Sequence, residues 1–268
     1  MNSSNSVQGN QPHPVWRSGF ALYKWLVVVP VLLLSTFIIG LSIVMLSLMG
    51  FPDLASRLLA TRWARLNLAI SMIAVEVDGK EKVNPQQSYV IAANHQSLID
   101  IYVLYGCSDL ELKWVMKQEL RSVPVLGLAC QAMGHIYIDR SNTEAALASI
   151  NKARSRIWDG ISIAFFPEGT RSRTGELATF KKGAFRLAQE LGLPILPVAI
   201  HDTNKVLPSD TLDLHPGTVR LEFLDPITTG ELTDKDVNSL AAQTRQLIQA
   251  ALDSAPNEEA PARVARPG

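Results

Sequence analysis

The sequence predicts an α/β domain behind an apolar N-terminal segment built to sit in a membrane. Three observations carry that expectation. Beyond about residue 72, short β-branched or apolar runs alternate with amphipathic stretches, the pattern left by strands and helices taking turns. From Trp25 to Pro52 there are 28 consecutive residues without a charge. The whole chain of 268 residues is 47% hydrophobic and 19% charged, too apolar to remain disordered, so it must bury a core.

In chain order, residues 1–24 are expected to be a flexible tail and residues 25–71 a membrane segment with an amphipathic interfacial helix. The uncharged run suffices for a bilayer, since 22 residues of helix cover roughly 33 Å against a hydrocarbon core of about 30 Å. A signal peptide does not fit: its apolar region is about 7–15 residues long, and no small-x-small cleavage site follows here. Pro30 and Gly40 lie inside the run, leaving a spanning and a re-entrant helix both open. Arg57, Arg62 and Arg65 after it outnumber Arg17 and Lys24 before it, a bias toward a cytoplasmic C-terminal side. Residues 53–71 space Leu54, Leu58, Leu59, Leu66 and Ile70 at helical intervals, which fits either a helix resting on anionic headgroups or one packed on the soluble domain.

The α/β domain is expected over residues 72–253. Strands are predicted at Ile73–Val77, Tyr89–Ala93, Leu112–Met116, His135–Ile138, Ile161–Phe166, Ile195–Ile200 and Val219–Phe223. Ser141 and Glu144 make a capping box that opens a helix ending near Gly160; Phe180–Leu191 is a second helix, stopped by Gly192 and Pro194; Thr233 with Asp236 opens a third to about Asp253. Residues 254–268 are Pro/Ala-rich without apolar period and are expected to be disordered.

Composition narrows the function. Twenty-five basic and 25 acidic residues, with a pI near 7.0, argue against a nucleic-acid binder. Two cysteines, Cys107 and Cys130, make no disulfide framework. The histidines show neither HExxH nor Cys/His ligand spacing, so no metal is expected, and there is no G-x-S-x-G of a lipid-ester hydrolase. The charge is uneven, however: residues 111–190 carry 12 basic and 8 acidic side chains, consistent with an anion site there or with solvated helix faces.

Three segments carry chemistry. Tyr89–Asp100 is a buried strand that empties into a polar turn, Asn94-His95-Gln96-Ser97, before an apolar helix. His95 and Asp100 are five apart and would diverge on one helix; if Ser97 caps the helix, Asp100 occupies its third position and its carboxylate can turn back to the imidazole, leaving the other ring nitrogen as a general base. The same Ser-x-x-Asp is also an ordinary capping box. In Phe165-Phe166-Pro167-Glu168-Gly169-Thr170-Arg171, Gly169 permits close backbone approach and Arg171 offers planar bidentate donors for phosphate, although the spacing is not that of a P-loop. Lys117, in Lys117-Gln-Glu119-Leu-Arg-Ser-Val-Pro124-Val-Leu-Gly127, ends a predicted strand, where open α/β sheets place ligand groups.

With Gly134-His-Ile-Tyr-Ile-Asp139-Arg140 and the proline-bounded strand Pro194–Ile200, these blocks resemble, in order, the lysophosphatidate/glycerophospholipid acyltransferase family over about residues 85–200. The resemblance implies a mixed, largely parallel sheet flanked by helices, and an O-acyltransferase that moves an acyl chain from acyl-CoA or acyl carrier protein to the sn-2 hydroxyl of lysophosphatidic acid, making phosphatidic acid. It implies His95 as catalytic base, Asp100 as its partner, Glu168, Gly169, Thr170 and Arg171 at the acceptor's glycerol phosphate, and Lys117 as a second phosphate contact. No cofactor is implied. Membrane lipids are expected partners, at the inner membrane with the catalytic domain on the cytoplasmic side; the oligomeric state stays open. Other acceptors, such as a lyso-ornithine lipid or glycerol 3-phosphate, and a non-catalytic lipid-binding role are the competing readings.

Overall fold

A computed structural model of the chain describes residues 14–139, 160–230 and 236–254. Its N-terminal part is helical from α1 (Pro14–Tyr23) through a π-helical turn at Lys24–Val28 into α2 (Val29–Leu48). The flexible tail expected to residue 24 is therefore corrected for residues 14–24. Phe20 is buried and the Tyr23 hydroxyl donates to the Ile70 carbonyl at 3.0 Å, which ties this stretch to the following helices. Gly19–Leu48, 30 residues, is long and apolar enough to cross a membrane, and is the one such helix among the described residues. Pro30 does not break it, because Pro30 enters just after the π-helical turn, where the hydrogen-bond register is already shifted. Gly40 does not break it either: a Cβ there would lie 2.6 Å from Val125 Cγ1, so the missing side chain is what lets the helix approach the domain.

The chain reverses through α3 (Pro52–Ala55) and a second π-helical turn at Ser56–Ala60 into α4 (Thr61–Ile70). This segment packs on the domain, and of the expected apolar residues only Leu59 and Ile70 pack against the core. Ala55, Ala60, Ala64, Asn67 and Leu68 are buried, whereas Leu54, Leu58 and Leu66 remain exposed. Close helix contact selects the small residues: Ala64 Cβ sits 3.4 Å from where a Cβ on Gly106 would be.

All seven expected strands form: β1 (Ile73–Asp78), β2 (Val90–Ala93), β3 (Glu111–Lys117), β4 (Ile136–Ile138), β5 (Ile161–Phe165), β6 (Ile195–His201) and β7 (Gly217–Phe223). They make one sheet in the order β1-β7-β6-β2-β5-β3-β4. Strands β6, β2, β5, β3 and β4 run parallel, β7 is antiparallel to β6, and β1 is parallel to β7. The sheet is thus mixed and largely parallel. Ile91 and Ala93 of β2 enter one core, Val90 and Ala92 the other; a strand buried on both faces reads as an unbroken apolar run.

The remaining helices are α5 (Ile99–Cys107), α6 (Leu126–Ala132), α7 (Gly183–Leu191), α8 (Thr203–Val206) and α9 (Val237–Asp253). Helices α4 and α5 lie over the first core, α7 and α9 over the second. Helix α7 begins at Gly183 rather than at Phe180, whose buried ring stacks on Phe185, and it ends as expected with Gly192 in the left-handed conformation. The expected helix from Ser141 lies outside the described residues, as do Arg140, Thr233 and residues 255–268.

Candidate active site

Five parallel strands deliver their C-terminal ends to one edge of the sheet, and the chemistry-bearing turns collect there. After Ala93 the main chain turns away from its neighbour, but the Asn94 side chain continues the ladder. Its Nδ2 donates to the Ile200 carbonyl at 2.9 Å and its Oδ1 accepts from the Ile200 N–H at 2.7 Å. Asn94 is fully buried, and those two bonds are what its amide is for.

His95 follows at this fixed point. Its ring stacks on Phe166 with centroids 3.8 Å apart and planes at 9°, and its Nδ1 lies 2.7 Å from Asp100 Oδ2. The same Oδ2 accepts the backbone N–H groups of Gln96 at 2.7 Å and Ser97 at 2.8 Å, while Oδ1 accepts the Thr203 hydroxyl. A carboxylate that accepts on both oxygens leaves the imidazole as donor through Nδ1, so Nε2 carries the lone pair. Both sequence readings of Ser-x-x-Asp hold at once, since one carboxylate caps the turn and orients the ring. Helix α5 starts at Ile99, placing Asp100 second rather than third, with Ser97 Oγ accepting the Ile99 N–H at 3.2 Å. Asp100 has no accessible side-chain surface; His95 keeps 13%.

The second turn leaves β5. Gly169 has φ 77°, a left-handed conformation that suits glycine, and a Cβ there would meet Lys181 at 2.8 Å. The carboxylate of Glu168 is held by the backbone: its Oε1 accepts the His95 N–H at 2.7 Å and its Oε2 the Ala178 N–H at 3.0 Å. Burial pushes its carboxyl above the usual carboxylate range, against the lowering effect of those two N–H groups. Glu168 is thus a bracket that holds the two turns together, reinforced by the Ser172 N–H on the His95 carbonyl at 2.8 Å.

Arg171 keeps 29% of its side-chain surface and pairs with Asp210 at 3.1 Å; Arg173 takes the other oxygen of Asp210 at 2.8 Å. Two guanidinium groups on one carboxylate mark a place where an anion is held. Thr170 is exposed on the same turn. Lys117 stands at the end of β3, two strands and roughly 10 Å across the sheet from β2. It is over half exposed and pairs with Glu119 at 2.9 Å. The structure thus brings His95, Asp100, Glu168 and Arg171 into contacting turns and leaves Lys117 on the rim.

Sequence reasoning missed Phe166 as the ring's stacking surface, Thr203 and Asp210. A polar Asp202-Thr203 pair ending a buried strand at this edge was the available signal for Thr203. Asp210 had none, because only the folded loop brings it to residues some 40 positions earlier.

The family model described as Acyltransferase matches residues 74–201. A 1-acyl-sn-glycerol-3-phosphate acyltransferase of Cocos nucifera is 30% identical over 188 residues, 70% of this chain and 59% of that protein. An uncharacterized acyltransferase of Schizosaccharomyces pombe is 33% identical over 208 residues, 76% of this chain and 75% of that one. The chain thus spans about three fifths of the plant relative's length. The crystal structure of the 1-acyl-sn-glycerophosphate acyltransferase PlsC from Thermotoga maritima superposes with a TM-score of 0.72 at 21% identity, covering 89% of this chain and 97% of that one, a likeness of fold.

Proposed function

The chain belongs to the acyltransferase family, and from that premise we propose that it acylates the free sn-2 hydroxyl of 1-acyl-sn-glycerol 3-phosphate, using acyl-CoA or acyl carrier protein as donor. The observation that carries this reading is the His95–Asp100 pair at 2.7 Å, on a turn bonded to the one that carries the partly accessible Arg171 at the C-terminal edge of the sheet. An acyl thioester brings a good leaving group, a thiol of pKa roughly 8.5, so a base suffices and no enzyme nucleophile is required. His95 Nε2 takes the hydroxyl proton as the acceptor oxygen attacks the thioester carbonyl carbon. Asp100 stabilises the imidazolium. The carbon–sulfur bond then breaks and His95 returns the proton to the thiolate, leaving the ester and a free thiol. Arg171 holds the acceptor phosphate, drawn from its pairing with Asp210, so that the hydroxyl is presented to the base. Lys117 reaches the same headgroup from the rim.

The membrane reading rests on the helix Gly19–Leu48. Lys24 Nζ donates to the Leu212 carbonyl at 2.7 Å, and Gly40 abuts Val125, so both halves of the helix lie along the domain. Sixteen residues of helix separate these contacts, about 24 Å. Contacts at both halves support a helix seated along the domain within one leaflet, with Leu33, Leu34, Phe37, Ile38, Leu41 and Met45 turned outward. The domain rests on the cytoplasmic side of the inner membrane in this proposal, where a lysolipid reaches the site without leaving the bilayer.

Purified protein in detergent, assayed with a panel of lysolipid acceptors and with both donors, tests the proposal. His95→Ala is expected to lose at least about 10²-fold in turnover, and Arg171→Ala to raise the acceptor KM. Undiminished turnover in the first variant removes the base from the mechanism. Equal use of phosphate-free acceptors removes the phosphate assignment.

A further inference from the structure

We propose that Thr203 is a positioning residue for the His95–Asp100 pair, acting through Asp100 from the far side of the carboxylate. The inference rests on the base mechanism above and goes one residue beyond it. Strand β6 ends at His201, and Asp202 takes φ 65°, a left-handed conformation that Asp tolerates better than most residues. That one residue reverses the chain and turns the following side chain back toward β2. Thr203 is completely buried, and its hydroxyl donates to Asp100 Oδ1, the oxygen that neither the imidazole nor the turn N–H groups occupy.

The placement is reinforced from the same segment. The Ser97 hydroxyl donates to the Leu207 carbonyl at 2.7 Å, and the Leu207 N–H donates to the Thr203 carbonyl at 3.0 Å, so α8 grips the His95–Asp100 turn at both of its ends. Asp100 has a single rotatable plane to set. Three donors on Oδ2 fix the position of that oxygen, and the Thr203 hydroxyl on Oδ1 fixes the rotation about it. Without that hydroxyl, Oδ1 is a buried acceptor with no donor assigned to it, and the carboxylate gains by twisting toward other N–H groups at the imidazole's expense. Binding of the acceptor and of the acyl donor uses other residues, so the loss falls on turnover rather than on affinity.

The test compares Thr203→Val, which keeps the shape and removes the hydroxyl, with Thr203→Ser, which keeps the hydroxyl and removes the methyl. Thr203→Val is expected to lower kcat by about tenfold or more, the scale of one hydrogen bond to a charged group, with the acceptor KM unchanged. Thr203→Ser is expected to restore most of kcat. If Thr203→Val does not fold, Thr203→Ala against Thr203→Ser makes the same comparison, because both lack the methyl and only one has the hydroxyl. Equal kcat with and without the hydroxyl, or a loss carried entirely by KM, overturns the proposal. His95→Ala measured alongside separates the failures: an active His95→Ala sinks the base mechanism itself, while an inactive His95→Ala with an unaffected Thr203→Val sinks only the role of Thr203.

Discussion

Carboxylates at this site divide by what their oxygens already hold. Asp100 accepts donors on both oxygens and orients a ring; Glu168 spends both oxygens on backbone N–H groups and joins two turns. A glutamine at position 168 keeps one acceptor but sets an NH2 group against the other N–H. Glu168→Gln is therefore expected to loosen the His95 turn and lower kcat. It also changes the pH response. Burial raises the folded Glu168 value above 4.5, so the folded chain binds that proton more tightly than the unfolded one. Its contribution to stability is complete below 4.5 and is lost as the pH rises through the elevated folded value. Denaturant unfolding of wild type and Glu168→Gln across that range is expected to show a steeper fall with pH in the wild type. Parallel pH curves would contradict this assignment.

Between helices the controlling feature is small residues at points of contact. Helix α2 meets the domain at Gly40, where Val125 Cγ1 comes within 2.6 Å of the position of an added Cβ. Val125 itself sits at φ 61°, a strained conformation for a β-branched residue, held in the short loop before α6. The Gly40→Leu variant forces α2 away from that loop at a cost of about 1–3 kcal/mol of packing. Turnover of a lysolipid presented in vesicles is expected to fall more than turnover of a short-chain acceptor free in solution, because the variant disturbs the membrane seat and leaves the His95 turn intact. Equal losses on both substrates would mean that the contact serves folding alone. The same preference explains why α4 turns Ala64 inward and Leu66 outward, a choice that helical spacing by itself does not make.

For the molecule as a whole, the N-terminal helical segment is pinned to the sheet by charge at Asp53 and Arg57. Lys113 and Glu111 at the start of β3 are almost wholly buried, paired at 3.2 Å; Lys113 also reaches Asp53 at 2.8 Å, and Arg57 lies 3.4 Å from Glu111. Burial raises Glu111 above the usual carboxylate range, with Lys113 lowering it, and pushes the nearby buried His135 down to about 3, so that ring is neutral. Removing the central cation leaves the buried Glu111 carboxylate to the more distant Arg57 and takes the ammonium partner from the half-exposed Asp53. Lys113→Met is expected to destabilise the protein by about 3 kcal/mol in denaturant unfolding, whereas an unchanged midpoint would show that the pair carries no net stability. The strands of this molecule were legible as seven separated segments: β2, β3, β5 and β6, buried on both faces, write themselves as continuous hydrophobicity, whereas β1 and β7 show alternating burial. The His95 and Arg171 turns were legible too, because polar residues that end such runs fall on the C-terminal edge of a parallel sheet. Which carboxylate points inward, which face of α4 is buried, and the arrival of Thr203 and Asp210 were decided only by the fold. Each depends on contacts between residues 37 to 103 positions apart, whose pairing no local pattern of polarity encodes.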